Sequence, residues 1–357
     1  MTKGITAKTG ITIGLDVSDR FTEAHAIDED GTWIASWRMP TKQAALREGL
    51  SHYPGARVVL EVGCHSPWIS RQVKEDGFEV IVANPRRVRL IAESDKKSDR
   101  TDAEQLARLG RMDPGLLSPI VHRGEPAQRD RVLLLARDGL VRCRTQLINQ
   151  VRGFAKSLGS RLPSSSSEAF VKRVRETVGE DAFPGMDTIL RIVEHLTHEI
   201  QSMDRQIERL CKDRYEETEL LRQIPGVGPL TSLAFVLTLE DPHRFAKSRD
   251  VGAYLGLRPR QRDSGGQRPQ LRITKAGDAM VRRLLVSAAH YVLGPFGPDT
   301  DLKRFGLRLA EHGGKAAKKR AAVAVARKLA VLLHRLWTTG EVYQAIGYGR
   351  KADDQAA

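Results

Sequence analysis

Cysteine is scarce in this 357-residue chain: Cys64, Cys143 and Cys211 lie far apart, with no CxxC pair and no histidine at zinc-ligand spacing. That excludes a disulfide-stapled secreted scaffold and a zinc-ribbon site, so reduced, structural cysteines are expected. Long apolar runs are lacking too. The best candidate, residues 321–336, is broken by Arg327, Lys328 and His334, and no membrane-crossing segment is expected. The opening MTKGITAKTGITIGL has neither the apolar core nor the cleavage site of an export signal, which points to a cytoplasmic protein. Carboxylates are also in short supply. Against 58 Lys and Arg there are 44 Asp and Glu, leaving a net charge of +14. A polyanion such as nucleic acid is the leading partner class, although an anionic membrane surface or simple solubility would give the same balance.

The length suggests two or three domains. ITIGLDVS alternates like a strand, and EAHAIDEDGTWIASWRM reads as two more strands around a turn at Asp30-Gly31. TKQAALREGLSHY is helical, ARVVLEV a buried strand, SPWISRQVKEDG helical and FEVIVANP a strand closed by Asn-Pro. With the helical pattern that AESDKKSDRTDAEQLARL settles into, these give the order βββαβαβα, which is that of a ribonuclease-H-like fold.

After a break at Met112-Asp113-Pro114-Gly115, two seven-residue repeats follow. One is Leu133, Leu140, Leu147 and Phe154; the other is Ile189, Leu196, Met203 and Leu210, joined by Val193, Ile200 and Ile207. They predict either a helical hairpin forming a coiled-coil arm or two core helices of a bundle. The connecting 160–190 region is serine-rich and weakly patterned. From about Glu219, ELLRQIPGVGPLTSLAFVLTL reads as helix, Pro-Gly-Val-Gly turn, helix. In a helix-hairpin-helix, Gly226 and Gly228 would let the backbone approach a phosphate; an ordinary αα turn has the same spacing. The C-terminal part carries most of the basic excess. GGKAAKKR, with Lys315, Lys318 and Lys319, precedes an apolar helix, which suits either a phosphate-facing helix start or a solvated face.

Four carboxylates stand out. Asp16 lies in the first strand and Glu61 ends the buried strand RVVLE, while Asp99 and Asp102 are three residues apart at the start of a helix. With the first and fourth strands adjacent and that helix beside them, the four would converge, and converging carboxylates call for a divalent cation such as Mg²⁺ or Mn²⁺. Each has a plainer reading: Asp16 as a strand-end turn residue, Glu61 as an exposed strand terminus, and Asp99 and Asp102 as a helix start capped by Ser98. Asp19, Asp28, Asp30 and Asp95 read as surface or turn residues.

A second constellation is LGLRPRQRDSGGQRPQLRITKAGD. Ser264 precedes Gly265 and Gly266 amid Arg258, Arg260, Arg262, Arg268 and Arg272, with Lys275 close behind. The glycines would admit a phosphate to the serine oxygen and the guanidiniums would grip it. A polar loop that binds backbone phosphate without chemistry is the alternative.

With IGLDVS, LEVG, KSDRTDA, IPGVGPLTS, AYLGLRPRQRDSGG and ITKAGDAMVRRLLV in this order, the chain resembles the DEDD-type transposases of bacterial insertion sequences. These are relatives of the Piv DNA invertase and include the bridge-RNA-guided recombinases. The resemblance spans nearly the whole chain. It implies an α/β RuvC-like N-terminal domain over residues 1–115, a helical coiled-coil region over 116–218, a mainly helical C-terminal transposase domain over 219–345, and a tail over 346–357. It further implies that Asp16, Glu61, Asp99 and Asp102 bind Mg²⁺ and that Ser264 attacks DNA to give a covalent phosphoserine. The implied partners are donor and target double-stranded DNA, a structured bridge RNA, and other copies of the chain, with dimers assembling to a tetramer whose active site combines one protomer's carboxylates with another's serine. Action at the bacterial nucleoid follows. A RuvC-like structure-specific endonuclease, using the same carboxylates to activate water, is the alternative, and a non-catalytic nucleic-acid-binding protein is a third reading.

Overall fold

The structure, a computed structural model, describes residues 10–85, 98–178, 185–264, 266, 269, 271–311 and 313–347. The chain divides into two compact units, Met1–Arg123 and Gly124–Ala357.

In the first unit, the alternation read from the sequence becomes a five-stranded sheet with order β3-β2-β1-β4-β5. The strands are β1 (Thr12–Val17), β2 (Phe21–Ile27), β3 (Trp33–Pro40), β4 (Arg57–Glu61) and β5 (Glu79–Ala83). β1 pairs antiparallel with β2 and parallel with β4, and β4 pairs parallel with β5. The β2–β3 turn is made as expected: Asp28 Oδ1 accepts from the N–H groups of Asp30 and Thr32, and Gly31 takes φ +80°. Helices α1 (Gln43–Ser51) and α2 (Ser66–Glu75) cover one face, where Ile13, Leu15, Val58, Leu60, Leu46 and Ile69 form the core. Helix α3 (Asp99–Met112) covers the other, burying Leu106 with Val59, Ile81 and Ala83.

The fit of α3 depends on two glycines. A Cβ on Gly14 would lie 2.0 Å from the Ala103 carbonyl oxygen and 2.6 Å from the Ala107 nitrogen, and one on Gly110 would lie 2.3 Å from Val59 Cγ2. Arg57, buried at the start of β4, fixes the far end of α3 by donating to the Gly110 carbonyl at 3.0 Å and pairing with Glu79 at 3.1 Å. His25 on β2 also lies beneath this helix, its Nδ1 bonded to Ser36 Oγ at 3.0 Å.

The second unit is helical. Helix α4 (Glu125–Ser157) runs 33 residues, about 50 Å at 1.5 Å per residue. It pairs with α6 (Met186–Arg214), and α5 (Phe170–Val178) packs near the distal end. Between α4 and α6, Arg137 grips Asp204 through two nitrogens, and the buried Arg144 donates to Thr197. The seam on α6 includes the expected Val193, Leu196, Ile200 and Ile207. That on α4 is one residue away from the expected one: Leu134, Ile148, Val151 and Ala155 are buried, Leu133 and Leu147 only flank them, and Phe154 is 43 % exposed. Leucines occupy 133, 134 and 135 and apolar residues both 147 and 148, so periodicity fits neighbouring stripes equally and the partner helix selects one.

The root of this helical pair shares one core with α7 (Glu217–Arg222), α8 (Pro229–Leu239), α9 (Ser248–Tyr254), α10 (Ala279–Leu293), α11 (Asp301–Glu311) and α12 (Lys315–Thr339). α8 is apolar and buried from Thr231 to Leu239, and so passes through the centre of the unit. All three cysteines are free thiols, but only Cys211 is buried as a structural cysteine would be; Cys64 and Cys143 are exposed. Among the described residues no helix is long and apolar enough to cross a membrane.

Gly14→Ala must push α3 off the sheet, at a cost of about 3 kcal/mol or more. Urea unfolding followed by tryptophan fluorescence reads the first unit through Trp33, Trp37 and Trp68. Burial, together with the neighbouring arginines, holds the pKa of both His25 and His122 below the ordinary histidine value. The unfolded chain therefore binds protons first on acidification. The stability these neutral rings contribute is complete above about pH 6.5 and is lost as pH falls through their folded values. The midpoint should drop on acidification from pH 7 to 5, with a shallower slope in His25→Gln.

Candidate active site

The parallel register Leu15↔Leu60 makes Asp16 and Glu61 the next residues on two adjacent strands, at the same edge of the sheet. Strand alternation puts Asp16 on the face of Gly14 and Glu61 on the face of Val59, the face covered by α3. Since Gly110 lies by the start of β4 and Ala103 over Gly14, α3 runs back along the strands and its first turn reaches the edge where Asp16 and Glu61 stand. The buried stripe of α3 is Ala103, Leu106, Ala107 and Gly110. Asp99 and Asp102, four residues before Ala103 and Leu106, extend that stripe past the edge. All four carboxylates thus share one face and one edge, with Asp99 exposed and the other three half-buried.

The plainer role of the helix start is met as well: Ser98 Oγ accepts from Thr101 N–H at 3.2 Å. Sequence reading missed Glu23, which lies opposite Asp16 in the β1–β2 register and pairs with Arg38 at 3.3 Å. Only the register reveals it. Asp19 bonds His65 at 3.2 Å on the surface, and Asp95 lies outside the described residues. An all-oxygen donor set of this kind fits a hard divalent cation. Among the described residues no three such side chains stand close enough together to hold a metal ion.

Ser264 belongs to the second unit. Residues 258–260 and 272–274 pair antiparallel: Arg260 N–H donates to Arg272 O at 3.0 Å, Thr274 N–H to Arg258 O at 2.9 Å, and Pro259 bridges Ile273. This ribbon projects a loop in which Ser264 is exposed, with Arg258, Arg260, Arg262 and Arg272 exposed on and beside its arms. Gly265 and Arg268 lie outside the described residues, and Gly266 takes φ +80°. The root of the ribbon is tightly built. A Cβ on Gly256 would lie 2.2 Å from Ala276 O, and one on Gly277 2.0 Å from Tyr254 O; both glycines have positive φ. Arg282 on α10 donates to the carbonyls of Leu255 and Ala276 at 3.0 and 2.7 Å. Asp278 caps α10 through the N–H groups of Met280 and Val281 and pairs with Arg131 of α4. Lys275, exposed and at φ +55°, donates its N–H to Gly256 O.

Gly226, at φ +85°, sits where a Cβ would lie 2.9 Å from Tyr291 Cδ1 and 3.1 Å from Ala288 O, so its small size lets the turn pack on α10. Gly228 caps α8 in extended conformation. Lys315, Lys318 and Lys319 are exposed on the first turns of α12.

Two family models match the chain: residues 13–158 match a transposase model of the DEDD type, and residues 218–301 the model described as "Transposase IS116/IS110/IS902 family". The chain is 29 % identical over 342 residues, 93 % of its length and 91 % of the relative's, to the transposase for insertion sequence element IS1111A of Coxiella burnetii. It is also 29 % identical over 344 residues, covering 93 % and 98 %, to that for IS1328 of Yersinia enterocolitica. The pilin gene-inverting protein of Moraxella lacunata is 29 % identical over 141 residues, 38 % of this chain and 42 % of that one.

The root of the Ser264 ribbon is open to test. Asp278→Ala removes the cap and leaves the largely buried Arg131 without this carboxylate, a loss of about 2–4 kcal/mol. Asp278→Asn, which keeps the cap, should lose less. Unfolding of the second unit followed through Trp337 measures both.

Proposed function

Because the chain belongs to the IS116/IS110/IS902 transposase family, and so is an enzyme of DNA recombination, we propose that it excises and inserts an insertion-sequence element by serine attack on DNA. The observation that carries this reading is the shared face and edge of Asp16, Glu61, Asp99 and Asp102, a placement specified jointly by strand register and by the direction of α3. The ribonuclease-H or RuvC-like reading of the first unit is supported by the same strand order.

In this reading the four carboxylates would hold Mg²⁺ or Mn²⁺. A bound cation of that kind polarises the scissile phosphate and lowers the pKa of an attacking hydroxyl. Ser264 Oγ attacks phosphorus, forming a phosphoserine ester as the bond from phosphorus to the sugar oxygen breaks. The serine proton passes to a base and the sugar oxygen takes one up. Arg258, Arg260, Arg262, Arg268 and Arg272 grip the non-bridging phosphate oxygens, and the exposed loop with Gly265 and Gly266 lets DNA backbone approach. Gly226, Gly228, Lys275, Lys315, Lys318 and Lys319 complete the proposed nucleic-acid contacts. A structured bridge RNA serves as guide, and carboxylates of one protomer act with the serine of another, so the two sets need not lie in one chain's site. The net charge of +14 supports binding of both nucleic acids.

Purified protein mixed with Mg²⁺, labelled element-junction DNA and the adjoining noncoding RNA should yield a denaturation-resistant protein–DNA adduct. Ser264→Ala and Asp102→Ala should each reduce it by roughly 10³-fold or more, as should chelation of the metal. Free cut DNA without adduct, unchanged in Ser264→Ala, would instead assign the protein to the hydrolytic endonucleases.

A further inference from the structure

A cavity of about 700 Å³ opens in the second unit between α9, α11, α12 and the segment after α12. Its floor is apolar, made by Ala253, Leu302, Val331 and Leu332 with the side of Tyr343. Its rim carries five cations, Arg249, Arg258, Arg327, Lys328 and Arg335, against two carboxylates, Asp250 and Asp301. Asp301 is already used: its Oδ2 accepts from Gly347 N–H at 2.8 Å and its own N–H donates to Ala345 O at 2.9 Å. Those bonds, with Tyr343 N–H on Gln223 Oε1 at 2.9 Å, hold residues 343–347 as a strap along one side. Lys328 lies 4.0 Å over the Phe305 ring, and Arg335 pairs with Glu341 at 3.3 Å. Arg249 and Arg327 are exposed and make no ion pair among the described residues. The rim therefore keeps an uncompensated positive charge above an apolar floor.

This combination selects its ligand. An inorganic anion has no use for the floor, and an apolar ligand none for the rim. A nucleotide uses both, with a flat base that packs on apolar and aromatic side chains and a phosphate that guanidiniums bind in bidentate fashion. A paired base in a duplex is stacked and cannot enter. We propose that this cavity receives one unstacked nucleotide of a nucleic-acid strand, its base on the Leu332 and Tyr343 side and its phosphate on Arg249 and Arg327. The proposal rests on the nucleic-acid reading above and adds a position to it. Arg258 stands at once on the rim and on the ribbon that carries Ser264. Six residues span at most about 20 Å, so the rim at Arg258 lies within that reach of the serine. The captured nucleotide would anchor the strand on one side of the scissile phosphate.

The test uses the full chain and two duplexes, one carrying a single unpaired 2-aminopurine and the other fully paired, each made as DNA and as RNA. Fluorescence anisotropy should show the bulged duplex binding roughly tenfold tighter, with the 2-aminopurine emission changed on binding. Ala253→Trp, which fills the cavity, should bring the bulged duplex down to the paired one while the paired affinity stands. Arg249→Glu combined with Arg327→Glu, both on exposed side chains, should also abolish the preference while weakening both duplexes, and the double lysine variant should keep most of the preference. A preference confined to the DNA or to the RNA pair supports the proposal and names the strand. Equal binding of bulged and paired duplexes, or full preference retained in the filled and charge-reversed variants, overturns it while leaving adduct formation at Ser264 intact. Failure of the wild-type chain to bind any duplex would overturn the nucleic-acid reading along with it.

Discussion

The first unit depends on one close approach. At Gly14 the backbone of β1 and that of α3 come within a distance that excludes even a methyl group. With a side chain there, α3 would stand off the sheet and its first turn would no longer reach the edge where β1 and β4 end. The acidic face is therefore set as much by a missing side chain as by the four present. Arg57, at the far end of the helix, donates to the Gly110 carbonyl and ties that end down.

The second unit solves a similar problem in another way. The ribbon carries exposed like charges, Arg258, Arg260, Arg262 and Arg272, which repel one another. Its order comes from the root, where Gly256 and Gly277 let two backbones cross and Arg282 gathers the carbonyls that the crossing leaves over. The crossing fixes the base of the ribbon, beyond which Ser264 is exposed.

Much of this was legible in the sequence. β1 could be read because Ile13 and Leu15 alternate with the small or polar Thr12, Gly14 and Asp16 that face α3, and β4 because both of its faces are covered and it reads as a continuous apolar run. The adjacency of Asp16 and Glu61 followed from strand order, and the direction of Asp99 and Asp102 from helix geometry. What could not be read depended on contacts between distant segments. Glu23 meets Asp16 only through the β1–β2 register. The stripe that α4 buries was ambiguous because leucines fill neighbouring stripes, and α6 decided between them. Gly256 and Gly277 carry no local signal, since the segments that crowd them are about twenty residues apart in sequence. The cationic cavity is drawn from segments spread between Arg249 and Ala345, and no spacing rule joins them.

The distribution of thiols gives the molecule a built-in pair of reporters. Cys211 is buried, and burial pushes its pKa up, so it is a poor nucleophile toward maleimides at neutral pH. Cys64 and Cys143 are exposed, one in each compact unit. Native protein should therefore accept a donor–acceptor or spin-label pair without any engineered residue, one probe near the β4 edge of the acidic face and the other on α4. The separation of the two units could then be followed in solution as DNA and RNA are added.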